Sequence, residues 1–230
     1  MITVLRSQER GQTQWEWLDS KHSFSFGEYY NPYHMGFHHL RVINQDLIRP
    51  GTGFPSHAHH DMEIITYVLS GSVTHHDSMG NKATINPGEI QLMSAGTGVT
   101  HSEYNSSKNQ PLELLQIWIR PNQKGLAPSY QQIKFTKSKL NLLIAPNKDK
   151  AHLAIHQDLK AFYVKLQKNE KLNYPLQNER VAWIQQLTGN INIDTLELKA
   201  GDGAQIERST VIQLQAKDDS ECLLFDMAGN

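Results

Sequence analysis

Short apolar runs recur through most of the chain, and turn signals made of Gly, Pro and Asn separate them. Runs rich in Val, Ile, Leu, Tyr and Phe cover residues 63–69, 112–119, 161–166, 181–187, 196–199 and 211–215. Short strands with regular turn signals between them are typical of a β-sandwich or a β-barrel. Helical periodicity is weak, and we expect a turn or two of helix at residues 8–17 or 127–138. The pattern therefore predicts an all-β protein.

The second half of the chain repeats part of the first. Residues 67–73 (YVLSGSV) are echoed by residues 185–191 (QQLTGNI), and residues 85–90 are echoed by residues 198–203. Each echo is a strand that ends in a Gly-containing turn, where the chain reverses direction. The repeat predicts two domains of the same kind.

Length and charge narrow the function classes. A chain of 230 residues buries roughly 70% of its unfolded surface on folding. Its formal net charge of -1 provides no field that would attract nucleic acid or an anionic membrane. Cys222 is the only cysteine, so an intramolecular disulfide and a thiolate-rich zinc site are excluded. With no signal-peptide core and no run of 18 apolar residues, we expect a cytoplasmic protein.

Two histidine clusters carry the candidate chemistry. Their spacings are Gly51-x5-His57-x-His59-x3-Glu63 and Gly96-x4-His101-x-Glu103-x-Asn105. Alternate residues of a β-strand point to the same face, so His57 and His59 direct two imidazoles to one point. By the same rule, His101 and Glu103 direct an imidazole and a carboxylate together. Two such strands that face each other across a barrel would close a three-nitrogen, one-oxygen site for a transition metal.

The spacing leaves the choice of carboxylate open. Glu63 has the same strand parity as His57 and His59, and it faces inward with them if no bulge intervenes. Thr100, Ser102 and Asn105 are candidates for hydrogen bonds that fix the imidazole tautomers. These groups lie near the expected ligands in the sequence, but the spacing does not choose among them.

The remaining histidines are interpreted as structural or exposed. His60 alternates with His59 and should point away from the site. His75 and His76 precede a turn, so we expect both to be solvent-exposed hairpin residues. All twelve histidines lie at or before His156. We therefore predict a metal-binding domain at residues 1–122, and a domain without a metal site at residues 123–230, divided near the polar, proline-bounded segment 120–128.

The motifs resemble those of a known family. The first cluster, with Gly71, resembles the first cupin motif. The second cluster departs from the other cupin motif, because Ser94 stands where proline is usual and four residues, rather than two, precede His101. These departures, with Glu103 two residues after the histidine, resemble the pirin family of bicupins. The resemblance extends through residues 22–26, 40–44, 93–104 and 116–119, and it is especially close to the bacterial pirin-like quercetin 2,3-dioxygenases.

This resemblance implies a bicupin, two β-barrel (double-stranded β-helix) domains packed together. It implies that His57, His59, His101 and Glu103 are the metal ligands and that Glu63 is retained without being a ligand. The implied metal is Fe(II), with nickel, cobalt, copper, manganese or zinc as alternatives. The implied activity is metal-dependent oxidative opening of a flavonol such as quercetin by dioxygen, without nucleic acid or membrane as direct partners.

Glu103 is then the expected catalytic base as well as a ligand, because a flavonol must lose its 3-hydroxyl proton before oxygen attacks. Two other functions compete with this one. The first is a non-catalytic, metal-dependent redox sensor that binds a regulatory protein partner. The second is an isomerase or a sugar-binding cupin.

Overall fold

The computed structural model describes residues 1–147 and 152–229, which are folded almost entirely into strands. The strands in order are β1 (Ile2–Leu5), β2 (Gly11–Trp15), β3 (Leu18–His22), β4 (Leu40–Ile48), β5 (Gly53–His59), β6 (Glu63–Ser70), β7 (Val73–Asp77), β8 (Lys82–Ile85), β9 (Glu89–Ser94), β10 (Val99–Asn105), β11 (Leu112–Ile119), β12 (Ser129–Lys134), β13 (Leu140–Ala145), β14 (Leu153–Ala154), β15 (Leu159–Leu166), β16 (Lys171–Pro175), β17 (Arg180–Thr188), β18 (Ile191–Ile193), β19 (Leu196–Leu198), β20 (Gly203–Ile206), β21 (Val211–Ala216) and β22 (Ser220–Ala228). A single turn of 3-10 helix at Ser7–Glu9 accompanies them in the described chain.

Of the turn or two of helix expected at residues 8–17 or 127–138, only the end of the 3-10 turn is present. Residues 8–17 contain the end of the 3-10 turn and strand β2, and residues 127–138 contain strand β12. Both strands lie at edges of one sheet, where β2 pairs with β3 and β12 pairs with β9. The rest of both segments forms strands because their backbone N–H and C=O groups bond to neighbouring strands. The weak helical periodicity of these residues does not compete with that pairing. No helix in the described residues is long and apolar enough to cross a membrane.

The chain forms two compact units. The first unit comprises Gly11–Phe135 with Ile155–Gln157, and the second comprises Met1–Arg10, Thr136–Ala154 and Asp158–Asn230. Residues 123–135 lie with the first unit because β12 pairs along its length with β9. The division into two domains between residues 122 and 123 remains a prediction.

Each unit is built from a seven-stranded and a four-stranded sheet. In the first unit the strand orders are β12-β9-β6-β11-β4-β3-β2 and β5-β10-β7-β8. In the second unit they are β1-β20-β17-β22-β15-β13-β14 and β16-β21-β18-β19. Two facing sheets, rather than one closed ring of strands, form the barrel of each unit. The predicted all-β bicupin is confirmed in this jelly-roll form.

The predicted repeat is confirmed by the turns. Gly71 connects β6 to β7 with φ of 78°, and Gly189 connects β17 to β18 with φ of 68°. Gly88 and Gly201, which follow β8 and β19, have φ of 84° and 86°. A Cβ atom at Gly189 would lie 2.3 Å from the carbonyl oxygen of Asp219, so this turn requires glycine for space as well as for its φ.

The second unit contains an apolar core cluster. Its core cluster draws aliphatic side chains from both sheets, among them Ile184, Ile193, Leu214 and Leu224. Cys222 is buried in this cluster, and burial raises the pKa of its thiol to about 12. Cys222 therefore packs as a small apolar side chain.

Candidate metal centre

Strands β5 and β10 bring the three predicted imidazoles together. His57 lies directly opposite His101, and His59 lies opposite Val99. The ring centroids are 4.7 Å apart for His57 and His59, 4.5 Å for His57 and His101, and 4.8 Å for His59 and His101. One nitrogen from each ring lies within 4.8 Å of the others, which is close enough for one ion to reach all three.

A bulge next to the first histidine fixes its tautomer. The register of β5 against β10 shifts between His101 and Glu103, which leaves an extra residue on β5 beside Pro55. The Nδ1–H of His57 donates to the carbonyl oxygen of Pro55 at 2.7 Å. The lone pair of His57 is therefore on Nε2, which is the atom available to a metal.

His101 provides the test of whether a metal fits. It is 2% exposed, and neither of its ring nitrogens has a hydrogen-bond partner among the described residues. Burial without a partner is costly for a polar atom and is rare in native proteins. A metal bound to one nitrogen would remove this cost, so the donor set fits a transition-metal ion.

Burial keeps these imidazoles in the form that binds metal. The pKa of His59 is lowered to about 4, mainly because the ring is buried and secondly because His101 and His57 lie close to it. The pKa of His101 is lowered to about 3, mainly because the ring is buried and secondly because His57 and His75 lie close to it. Both rings are neutral at physiological pH, and neutral imidazole is the ligating form.

The stability of the metal-free protein should therefore depend on pH. An unfolded histidine has a pKa near 6.5, so below that pH the unfolded chain binds more protons at these two positions than the folded protein. Stability is full above about pH 6.5 and falls toward pH 4, with a limiting slope of about 1.4 kcal/mol per pH unit from His101. Urea unfolding from pH 7 to pH 4.5 measures this, and His101→Gln should flatten the slope. Identical slopes for the two proteins would contradict the shifted pKa.

Glu103 is held between the two sheets. Its side chain is 3% exposed. Thr66 Oγ1 donates to its Oε1 at 3.0 Å, and Gln116 Nε2 donates to its Oε2. A Glu103 oxygen lies within 4.8 Å of donor atoms of His101 and His75, so His101 belongs to two overlapping groups of possible ligands. The structure thus brings Glu103 beside His101, as the sequence predicted, and also beside a residue that the sequence did not select.

That residue is His75, for which the expectation of an exposed hairpin position was wrong. His76 is exposed as expected, but His75 is fully buried. Strand β7 pairs with β10, where His75 lies opposite Glu103. Its Nε2–H donates to Asp77 Oδ2 at 3.0 Å, while its Nδ1 is buried and has no partner among the described residues. This carboxylate–histidine arrangement is the one that orients metal-binding imidazoles.

Asp77 is held as an anion beside His75. Burial raises the pKa of this carboxyl, but hydrogen bonds from His75 and Asn81 outweigh burial and leave the pKa below its ordinary value. Asn81 donates from both its backbone and its side chain. His75 and buried Val73 are two residues apart on β7, so their side chains point to the same face. This alternation was the one signal in the sequence that favoured an inward position for His75.

Glu63, the alternative carboxylate, faces away from the three histidines. Strand β5 ends at His59, and Asp61 has a φ of 48°, so strand parity does not carry from β5 to β6. Ser94 Oγ donates to Glu63 Oε2 at 2.8 Å, and His156 Nδ1 lies 3.1 Å from its Oε1. Burial raises the pKa of this carboxyl, and these hydrogen bonds offset the rise only in part.

Asn105 also has a different role from the expected one. Its Nδ2 donates to the carbonyl oxygens of Ile48 and Gln110, at 3.2 Å and 2.9 Å. These bonds hold the loop after β10 rather than an imidazole. His60 points out of the site as predicted, with a side chain 82% exposed.

The histidines open onto a cavity of about 330 Å³ between the sheets of the first unit. This volume lies at the lower end of the range for small-molecule sites. Its apolar wall includes an edge-to-face contact between Trp118 and His59, with centroids 4.8 Å apart. The other apolar lining residues are Trp15, Leu18, Phe26, Phe54 and Ile64. The cavity therefore has room for a small molecule beside the imidazoles.

Comparisons with known proteins agree with this architecture. The family model described as Pirin matches residues 4–119, and the model of the quercetinase C-terminal cupin domain matches residues 142–227. A quercetin 2,3-dioxygenase of Escherichia coli (strain K12) is 46% identical over 228 residues, which cover 99% of each chain. A putative quercetin 2,3-dioxygenase of Pasteurella multocida is 41% identical over 232 residues, 99% of this chain and 100% of the relative.

Solved structures match along the whole chain. The crystal structure of the bacterial pirin YhhW from Escherichia coli in complex with nickel(II) superposes with a TM-score of 0.98 at 45% identity, covering 100% of both chains. A quercetin 2,3-dioxygenase from Acinetobacter baumannii matches with a TM-score of 0.80 at 20% identity, over 98% of this chain and 85% of that one. At 20% identity, the likeness to the Acinetobacter baumannii protein supports the fold alone.

Proposed function

This chain belongs to the pirin family, and from that premise we propose that it is a metal-dependent dioxygenase that opens flavonols such as quercetin. The proposed centre is mononuclear and consists of His57, His59, His101 and Glu103. The observation that carries the proposal is the pair of buried, unpartnered nitrogens of His101 at the end of an aromatic cavity. The names of full-length relatives favour the dioxygenase over a redox sensor or a sugar-binding cupin.

The three imidazoles and the carboxylate suit a divalent transition metal, for which we propose Fe(II). Nickel is an alternative, because a relative of 45% identity has been crystallised with nickel(II). Cobalt, copper, manganese and zinc accept the same donors. When bound, the metal would supply a Lewis acid that acidifies the 3-hydroxyl of a flavonol.

Glu103 accepts the proton from the 3-hydroxyl in this proposal. The hydrogen bonds from Thr66 and Gln116 fix both carboxylate oxygens, so the carboxylate is oriented before substrate arrives. Trp118 and Phe54 hold the flat rings and exclude water from the reacting face. The substrate partners are therefore a flavonol-like molecule and dioxygen.

Oxygen uptake with quercetin tests the proposed function. We expect the metal-loaded protein to consume dioxygen when quercetin is added, and the chelated protein to consume none above background. The measurement uses an oxygen electrode, with metal content determined on the same samples. No uptake with any added divalent metal would overturn the dioxygenase and favour the regulatory function.

A further inference from the structure

His75 is buried against the candidate metal centre, although it is not one of the four proposed ligands. Its ring centroid lies 5.3 Å from that of His101. Tyr130 packs against the same ring, with centroids 5.0 Å apart, and the Tyr130 hydroxyl donates to Gln132 Oε1 at 2.8 Å. The neighbours of His75 therefore fix the position of its ring beside His101.

Asp77 fixes which nitrogen of His75 carries the proton. Asp77 Oδ1 accepts from the backbone N–H groups of Met79 and Asn81, at 2.9 Å and 3.0 Å. Its Oδ2 accepts from the Nε2–H of His75 at 3.0 Å. Because a neutral imidazole has one N–H, the lone pair of His75 is on Nδ1. This Nδ1 is a buried acceptor that has no donor among the described residues.

His101 needs an acceptor once it binds a metal. In the neutral ring one nitrogen holds a lone pair and the other holds a proton, and a metal takes the lone pair. For His57, the carbonyl oxygen of Pro55 accepts the remaining proton. Neither nitrogen of His101 has a partner in the part of the chain that the structure describes. A metal-binding imidazole almost always donates its other N–H to an acceptor, so His101 requires one.

The unpartnered groups of His101 and His75 lie beside each other. One nitrogen of each ring lies within 4.8 Å of the other. A separation of this size is bridged by one water or closed by a small rotation of either ring. The N–H that His101 retains after binding a metal and the lone pair of His75 are thus complementary.

The second unit shows that the fold does not require a polar side chain at this position. Counted from the matching glycine turns, His75 corresponds to Ile193. Ile193 lies opposite Leu214, and both belong to the apolar core cluster. In the first unit, His75 lies opposite Glu103. An apolar side chain satisfies the packing here, so a buried imidazole costs free energy unless its polar atoms have partners.

We propose that His75 and Asp77 are positioning residues for the metal. The metal-bound His101 donates its remaining N–H to His75 Nδ1, and the Nε2–H of His75 donates to Asp77. This inference rests on the proposed metal centre and deepens it. A chain of hydrogen bonds that ends on a carboxylate orients the ligand ring and makes its metal-binding nitrogen more basic. The chain tightens metal binding without adding a fifth ligand.

Two substitutions of His75 separate the roles of its two nitrogens. Asparagine places its amide oxygen near the position of Nδ1, so His75→Asn keeps the acceptor and loses the bond to Asp77. Glutamine places its amide nitrogen near the position of Nε2, so His75→Gln keeps that bond and loses the acceptor. Titration of the metal-free proteins against a competing chelator measures nickel(II) affinity. It should fall roughly tenfold to a hundredfold in His75→Gln and stay within about threefold of the wild type in His75→Asn.

Asp77→Asn tests the direction of the chain without changing His75. The backbone N–H groups of Met79 and Asn81 hold the amide oxygen at the position of Oδ1, so the amide nitrogen faces His75 Nε2. Nε2 must then accept a hydrogen bond, and the proton of the ring moves to Nδ1. His101 loses its acceptor, so nickel(II) affinity should fall about tenfold or more although the imidazole of His75 is still present.

His76→Gln is the matched control, because it makes the same change at the next, exposed residue of β7. Its nickel(II) affinity should equal that of the wild type. X-ray absorption of the nickel-loaded proteins should find the same number of imidazole ligands in the wild type and in both His75 variants. Melting curves of the metal-free proteins check the fold, and Asp77→Asn carries the test where a His75 variant does not fold.

Three results would overturn the positioning role. The first is unchanged nickel(II) affinity in His75→Gln and Asp77→Asn. The second is an equal loss of affinity in His75→Asn and His75→Gln, which would indicate packing alone. The third is one imidazole fewer around nickel in the His75 variants, which would make His75 a ligand.

Oxygen uptake with quercetin on the same samples separates this inference from the proposed function. The predicted order of affinities, without oxygen uptake by the metal-loaded wild type, would overturn the dioxygenase and leave the positioning role intact. Wild-type oxygen uptake with unchanged nickel(II) affinity in His75→Gln and Asp77→Asn would do the reverse. A wild-type protein that binds no nickel(II) would overturn both the positioning role and the proposed metal centre.

Discussion

Glu103→Gln is expected to lower quercetin turnover by roughly 10²-fold or more at saturating metal, the usual scale for the loss of a positioned base. Glutamine keeps the shape of the side chain and one oxygen donor, but it removes the negative charge and nearly all basicity. Metal affinity should weaken only in part. Oxygen uptake and metal content, measured on the same preparation, separate the loss of base from the loss of metal.

Glu63→Gln is the control for this substitution. Glu63 is also a buried carboxylate of the first unit, but it binds Ser94 and lies outside the cavity lining. Turnover should stay within a few-fold of the wild type. If Glu103→Gln with full metal occupancy retains wild-type turnover, Glu103 is not the base.

His101→Ala should remove most of the bound metal and, with it, quercetin turnover. The substitution deletes the imidazole shared by both groups of possible ligands, and its small side chain leaves a buried hole in place of a donor. Elemental analysis of protein purified without chelator measures the occupancy. A melting curve of the metal-free variant checks that the fold survives.

His76→Ala is the matched control, because His76 is an exposed neighbour of His75 on the same strand. It should leave occupancy unchanged. Full occupancy in His101→Ala would remove His101 from the ligand set and would favour a centre formed by other residues.

Much of the fold follows from local pattern. The strands at residues 112–119 and 161–166 were readable because apolar runs end in turn residues, and these strands are confirmed. The repeat was readable because the turns at Gly71 and Gly189 need positive φ, which few other residues supply. The edge strands β2 and β12 were not readable, because their pairing partners, rather than their own periodicity, decide their conformation.

The sequence predicted the candidate site only where the spacing of residues within one strand fixes the direction in which their side chains point. His57 and His59 share one strand, as do His101 and Glu103, so their convergence followed from period two. His75 comes from a third strand, and its burial depends on pairing with β10, which the sequence does not reveal.

The polar lining of the cavity that β3 and β4 contribute could not be predicted, for the same reason. Asn44 and Asp46 lie on β4, with Ser20 and His22 on β3, and neither strand carries a histidine pair or a metal motif. Only cross-strand register places Asn44 opposite Gln116 on β11, His22 opposite Asn44, and Ser20 opposite Asp46. The polarity of a cavity wall is therefore a property of the assembled sheet rather than of any one segment.

Reconstitution of the metal-free protein with increasing Fe(II) tests the central claim most directly. Oxygen uptake with quercetin is recorded after each addition under conditions that exclude free metal. We predict that uptake rises linearly to one equivalent of metal per chain and is then constant, because both candidate ligand groups share His101 and the core cluster of the second unit is apolar. Uptake that continues to rise to two equivalents, or no uptake at any loading, would contradict a single catalytic metal centre in the first unit.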